Sequence, residues 1–148
     1  MRRFAILLLA LIMVGCVSFN SFTGTGLVKV LPNYLDEEGM HTDGVTLLHR
    51  DNYQEVLRES PEKVNGVRYD VNWYGSGEVL LRLELRSSKA GVKPMVVEQK
   101  VDATVPRSHW TGLLLDEATF KEFGHPQAWR VSLWKEGEEL EHLKSFLW

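Results

Sequence analysis

The side chains able to do chemistry in this chain are one cysteine, five histidines and two acidic clusters. His41, His49, His109, His125 and His142 show no paired spacing such as His-x-x-x-His, and there is no second thiol to complete a zinc set. His49 and Asp51 are two apart, which would put them on one face of a strand, but Asp51 also reads as a helix cap. Asp36, Glu37 and Glu38 lack the Asp-x-Asp-x-Asp-Gly register of a calcium loop. Glu136, Glu138, Glu139 and Glu141 surround a hairpin turn, where solvated charge keeps an exposed loop soluble. No Gly-x-Ser-x-Gly elbow occurs, and Gly75-Ser76-Gly77 has neither the spacing nor the following helix of a phosphate loop. The expectation is therefore no metal, no cofactor and no enzyme. A triad gathered from distant loops would leave no local signature, so an envelope hydrolase acting on glycan or peptide stands as the alternative.

Cys16 is different, because its surroundings give it a chemical fate. Arg2 and Arg3 precede an apolar run, Phe4 to Val14, and the small Gly15 comes just before the cysteine, in the order of a secretory signal peptide. As a helix that run spans only about 17 Å, against about 30 Å of membrane hydrocarbon, too short for a permanent crossing. Met13-Val14-Gly15-Cys16 resembles the lipobox of bacterial lipoproteins, with Met13 and Val14 as mild departures and Gly15 and Cys16 matching. The resemblance implies a diacylglycerol on the Cys16 thiol, cleavage before it and a firm membrane anchor, since two or more acyl chains hold where one does not. Val17, where an Asp would signal inner-membrane retention, implies the outer membrane of a bacterial envelope. Residues 1–15 then form the signal peptide, 16–26 the lipidated cysteine and a flexible tether, and 27–148 one domain. Phe19 and Phe22 are the only large apolar residues of the tether.

Loss of Arg2 and Arg3 lowers Lys plus Arg from 17 to 15 against 20 Asp plus Glu, moving the net charge from -3 to -5. Such a body suits neither nucleic acid nor an anionic lipid surface. With its thiol acylated the chain has no disulfide, so the apolar core alone must hold the fold.

The elements follow from periodicity. Leu27 to Leu31 is β-prone and Pro32 stops it; Asp51 and Gln54 form a capping box that opens a short helix ended by Pro61. Val67, Tyr69, Val71 and Trp73 alternate with polar residues, Gly75-Ser76-Gly77 turns the chain, and Val79, Leu81, Leu83 and Leu85 alternate again, which predicts a hairpin. Further strands cover Met95 to Val101 and Trp110 to Leu115. Asp116 caps a second helix that Gly124 ends, with Leu115 and Phe120 as a hydrophobic staple. A last hairpin runs from Ala128, turns at Lys135-Glu136-Gly137-Glu138 and closes on Phe146-Leu147-Trp148.

Six or seven strands without strand–helix alternation predict a mainly β fold, an antiparallel immunoglobulin- or fibronectin-like sandwich with two short helices in connections; a small closed barrel is the alternative. Lys29-Val30-Leu31-Pro32, Arg50-Asp51-Asn52-Tyr53-Gln54, Gly66-Val67-Arg68-Tyr69-Asp70-Val71 and Lys144-Ser145-Phe146-Leu147-Trp148 resemble segments of small bacterial envelope lipoproteins, a resemblance that implies no activity. Alternation puts Trp73 and Tyr74, and likewise Leu133 and Trp134, on opposite faces of their strands. Tyr74 and Trp134 are therefore the candidate binding surface, either covered by the helices or open to an envelope protein or glycan. The expected role is binding or scaffolding by a membrane-anchored domain.

Overall fold

The structure, a computed structural model, describes residues 24–148. The apolar leader, Cys16, Phe19 and Phe22 lie outside the described residues. Five strands follow in order: β1 (Gly26–Leu35), β2 (Gly66–Ser87), β3 (Met95–Leu115), β4 (Pro126–Lys135) and β5 (Glu138–Lys144). All pair antiparallel in one sheet. The fold is mainly β with two helices, as expected, but the pairing gives a single curled half-barrel sheet rather than the two facing sheets of a sandwich.

β2 explains the difference. Its residues 66–87 are one continuous strand, where the sequence predicts two strands and a turn. β3 follows nearly its whole length on one side, so the predicted strands at 95–101 and 110–115 are also one. The other side is divided, with β1 pairing from Gly66 to Tyr74 and β4 from Leu80 to Ser87. Gly75-Ser76-Gly77 kinks the strand instead of reversing it, because both flanking runs keep their pairing with β3. Gly75 and Gly77 hold φ of 148° and 82°, and opposite them the register slips between Ala103 and Arg107, leaving a bulge in β3. His109 secures the kink. Its Nε2 lies 3.1 Å from the carbonyl oxygens of both Gly75 and Val105, so it carries the proton and donates, while the ring stacks on Trp73 at 4.7 Å.

The kink preserves alternation. Val67, Tyr69, Val71, Trp73, Val79, Leu81, Leu83 and Leu85 all face the core and are at most 2% exposed. Leu113, Leu115, Val131 and Leu133 join them from β3 and β4. Trp73 buries its indole N–H by donating to Thr111 Oγ1 at 3.0 Å. Burial of this kind contributes roughly 2 kcal/mol for each large apolar side chain.

Helix α1 (Leu47–Glu59) starts earlier than predicted, since Thr46 is its cap and accepts the His49 amide. Asp51, inside the helix, pairs instead with Arg50 at 2.7 Å. Helix α2 (Glu117–Phe123) forms as predicted: Asp116 accepts the Thr119 amide, Gly124 ends the helix with φ 83°, and Phe120 and Phe123 are buried. Glu136 and Gly137 turn the β4–β5 hairpin, both at positive φ, but β5 ends at Lys144 and Phe146 stands fully exposed.

Pro32 does not stop β1; it lies opposite Tyr69. The Tyr34 amide and carbonyl point away from β2, where Gln54 takes both, at 2.7 and 3.0 Å. Alternation then turns Pro32 toward the same outer edge, where its missing N–H costs the sheet nothing. At the other end the Leu27 amide donates to Glu141 Oε2 of β5 at 2.7 Å, which ties the curled sheet shut at that corner.

Candidate functional site

The curl leaves a seam where the lips of β1 and β4 face each other without pairing. Trp129 pairs with Leu85, yet its ring meets Tyr69 edge-on at 6.1 Å. A straight strand would hold residues 69 and 85 roughly 50 Å apart, so the kinked, twisted β2 creates this contact. Along the seam runs a cleft of about 270 Å³. Pro32 and Tyr34 line it from β1, Val67 and Tyr69 from β2, Pro126, Gln127 and Trp129 from β4, Ser145 from the chain after β5, and Arg58 from α1.

Each wall is fixed by backbone chemistry. Ser145 Oγ accepts the Trp129 amide at 3.0 Å and the Ser145 amide returns to the Trp129 carbonyl at 2.9 Å, which anchors the segment beyond β5 beside the ring. Gln54 holds Tyr34 from behind, and its Nε2 also donates to the His41 carbonyl at 2.9 Å. His125 meets Tyr34 and Phe120 edge-on at 5.8 and 5.0 Å, joining α2 to the wall. Burial, with the neighbouring Tyr34, pushes the Tyr69 hydroxyl well above the usual tyrosine range, so it stays protonated. Burial, with Lys89, holds His125 below the ordinary histidine value, so it is neutral at pH 7.

The cleft can hold a ligand but is poorly made for proton transfer. Its lining offers hydroxyls, an amide, a guanidinium and three aromatic rings, and neither a carboxylate nor an imidazole. A second depression, of about 290 Å³, lies on the other side of Pro32 and shares Pro32 and Arg58 with the first. There Arg50 and Asp51 neutralise each other.

Tyr74 and Trp134 lie elsewhere, on the face turned from the core. Their partners Trp73 and Leu133 are wholly buried, so the alternation holds, and both rings are half-buried. Trp134 donates its indole N–H to Ser132 Oγ at 2.8 Å, lies under the Arg82 guanidinium at 4.7 Å, and lines a depression of about 360 Å³ with Lys100 and Glu136. The Tyr74 hydroxyl donates to the Pro106 carbonyl at 3.3 Å. The two residues line no common cavity among those described; the kink separates them.

The acidic loop has a structural role. Asp36 accepts the Tyr53 hydroxyl at 2.5 Å and the amides of Glu38 and Met40. Burial works against its charge, but these donors together hold its carboxyl below the usual range; in return the hydrogen bond to Asp36, with burial, pushes the Tyr53 hydroxyl up to about 12. Among the described residues, no group of three or more His, Cys, Asp and Glu side chains is placed to hold a metal ion. No helix of the described residues is long and apolar enough to cross a membrane.

The seam cleft was not legible in the sequence. Tyr69 and Trp129 read as alternating positions of separate strands, Tyr34 falls beyond the predicted stop at Pro32, and no local pattern joins the three. Comparison with family models, curated proteins and solved structures gives no match.

Proposed function

We propose that the protein is a lipid-anchored component of the bacterial envelope, held through Cys16 at the outer membrane, that binds another envelope protein without catalysis. The seam cleft receives an apolar side chain of that partner. The observation that carries this reading is the arrangement of rings around the cleft. Trp129 and Tyr69 are inclined at 63°, so they form the walls of a slot rather than the flat platform on which a sugar ring stacks. A slot of about 270 Å³ suits one large side chain, and the hydroxyls and amide at its rim suit the partner's backbone. The basic leader and the Gly15-Cys16 pair support the anchor.

The test is photo-crosslinking in intact cells from a probe residue at Gln127, on the exposed rim, compared with one at Glu136 beside Trp134. The expected result is a protein adduct of one mass from position 127 that Trp129→Ala abolishes. Glycan alone at position 127, or adducts only from position 136, overturns the seam as the contact surface. For the anchor, Cys16→Ser is expected to abolish incorporation of labelled fatty acid into the protein, and undiminished labelling of that variant overturns lipidation at Cys16.

A further inference from the structure

β3 presents its far edge to no other strand among the described residues. An uncovered edge of this length is an open template for another strand. Its straight part begins after Pro94 and ends at the bulge beyond Ala103, so it covers Met95 to Ala103, with Gln99 at its centre. Around Gln99 the sequence is complementary to itself when reversed. Glu98 falls opposite Lys100, Val97 opposite Val101, and Met95 opposite Ala103; only Val96 with Asp102 gains nothing.

We propose that this edge pairs with the same edge of a second copy, antiparallel, about a two-fold axis through Gln99. Two Glu98–Lys100 contacts form on one face of the joined sheets and two Val97–Val101 contacts on the other. Opposite charges and apolar pairs facing each other are the contacts that stabilise antiparallel strands. The side chains are disposed for it. Glu98 is part-exposed and accepts from its β2 neighbour Arg82 through Oε1 at 2.6 Å, while Lys100 is highly exposed and only loosely engaged by Glu78 at 3.9 Å, free to turn to a partner. Val97 and Val101 are half-buried against their own core, so added strands extend an apolar surface already present. A shift of two residues loses both charge pairs, which fixes the register. The contact is isologous and closes at two copies.

The test uses the full chain, in membranes and after detergent extraction. A residue on the axis faces its own counterpart about 5 Å away between Cα atoms, within disulfide range. Gln99→Cys is therefore expected to give an oxidised dimer of twice the mass. Thr104→Cys lies roughly 30 Å from its counterpart and is expected to give none. Cys16 is common to both variants and cancels. Lys100→Glu and Glu98→Lys are each expected to weaken self-association about tenfold, since each places like charges opposite one another at two points, and an equimolar mixture of the two is expected to restore it. Circular dichroism establishes that each variant is folded; if E98K fails to fold for want of its Arg82 partner, the cysteine pair decides alone. A folded Q99C chain that stays monomeric, equal crosslinking by Q99C and T104C, or a mixture of folded K100E and E98K chains no better associated than either alone overturns the proposal.

Discussion

Gln54 sets its amide against both backbone groups of Tyr34 and the His41 carbonyl, so one buried side chain substitutes for a missing neighbour strand. Gln54→Leu leaves three polar groups unsatisfied at a cost of about 3 kcal/mol, and denaturant unfolding is expected to show a lower midpoint with an unchanged slope. Histidines set the response to mild acid. His41, through burial and Arg68, and His125, through burial and Lys89, both have folded pKa values below the ordinary 6.5. As pH falls through about 6.5 the unfolded chain takes up these protons first, so stability falls with pH until the folded values are reached. Melting temperatures are expected to drop from pH 7.5 to 5.5, and less steeply in His125→Gln. Asp36 and Glu139 act in stronger acid: Arg130 holds the Glu139 carboxyl down, and the contribution of both groups, present above the unfolded carboxylate value, is lost as pH falls through the lowered one. Sequence alone assigns none of these roles. Asp51 and Gln54 have the spacing of a capping box, but burial gave Gln54 to the sheet and left the cap to Thr46.

The kink in β2 is decided at the level of the element. A β-carbon on Gly75 would come within 2.7 to 3.0 Å of Thr25, whereas one on Gly77 meets only the end of Lys135 at 3.7 Å. Both positions have positive φ, so alanine at Gly77 costs about 1 kcal/mol, and at Gly75 more, roughly 2 to 3 kcal/mol. Thermal unfolding of the two variants is expected to rank them in that order. The alternation of Val67 to Trp73 and of Val79 to Leu85 was fully readable, as were Asp116, Gly124 and the Glu136-Gly137 turn. The continuity of the strand was not, because a glycine pair turns or kinks according to what lies beside it. Pro32 likewise looked like a stop and proved to be an edge residue, a distinction that depends on which side of β1 carries β2.

At the scale of the molecule, closure rests on contacts between residues far apart in sequence. Glu141→Ala removes the acceptor of the Leu27 amide and is expected to cost about 1 kcal/mol. It is also expected to speed hydrogen exchange along β1 while leaving the β2–β3 ladder protected. The sequence by itself determined the β class, the apolar face of each strand, the second helix and the cysteine on which the proposed anchor depends. These are properties of period, charge and local chemistry within a few residues. The tertiary structure decided that there is one curled sheet, that Tyr34, Tyr69 and Trp129 enclose a cleft while Tyr74 and Trp134 lie apart from it, and that β3 has an edge with no strand beside it among the described residues. Strand pairing and twist join residues tens of positions apart, and no local pattern records which partner a strand will find.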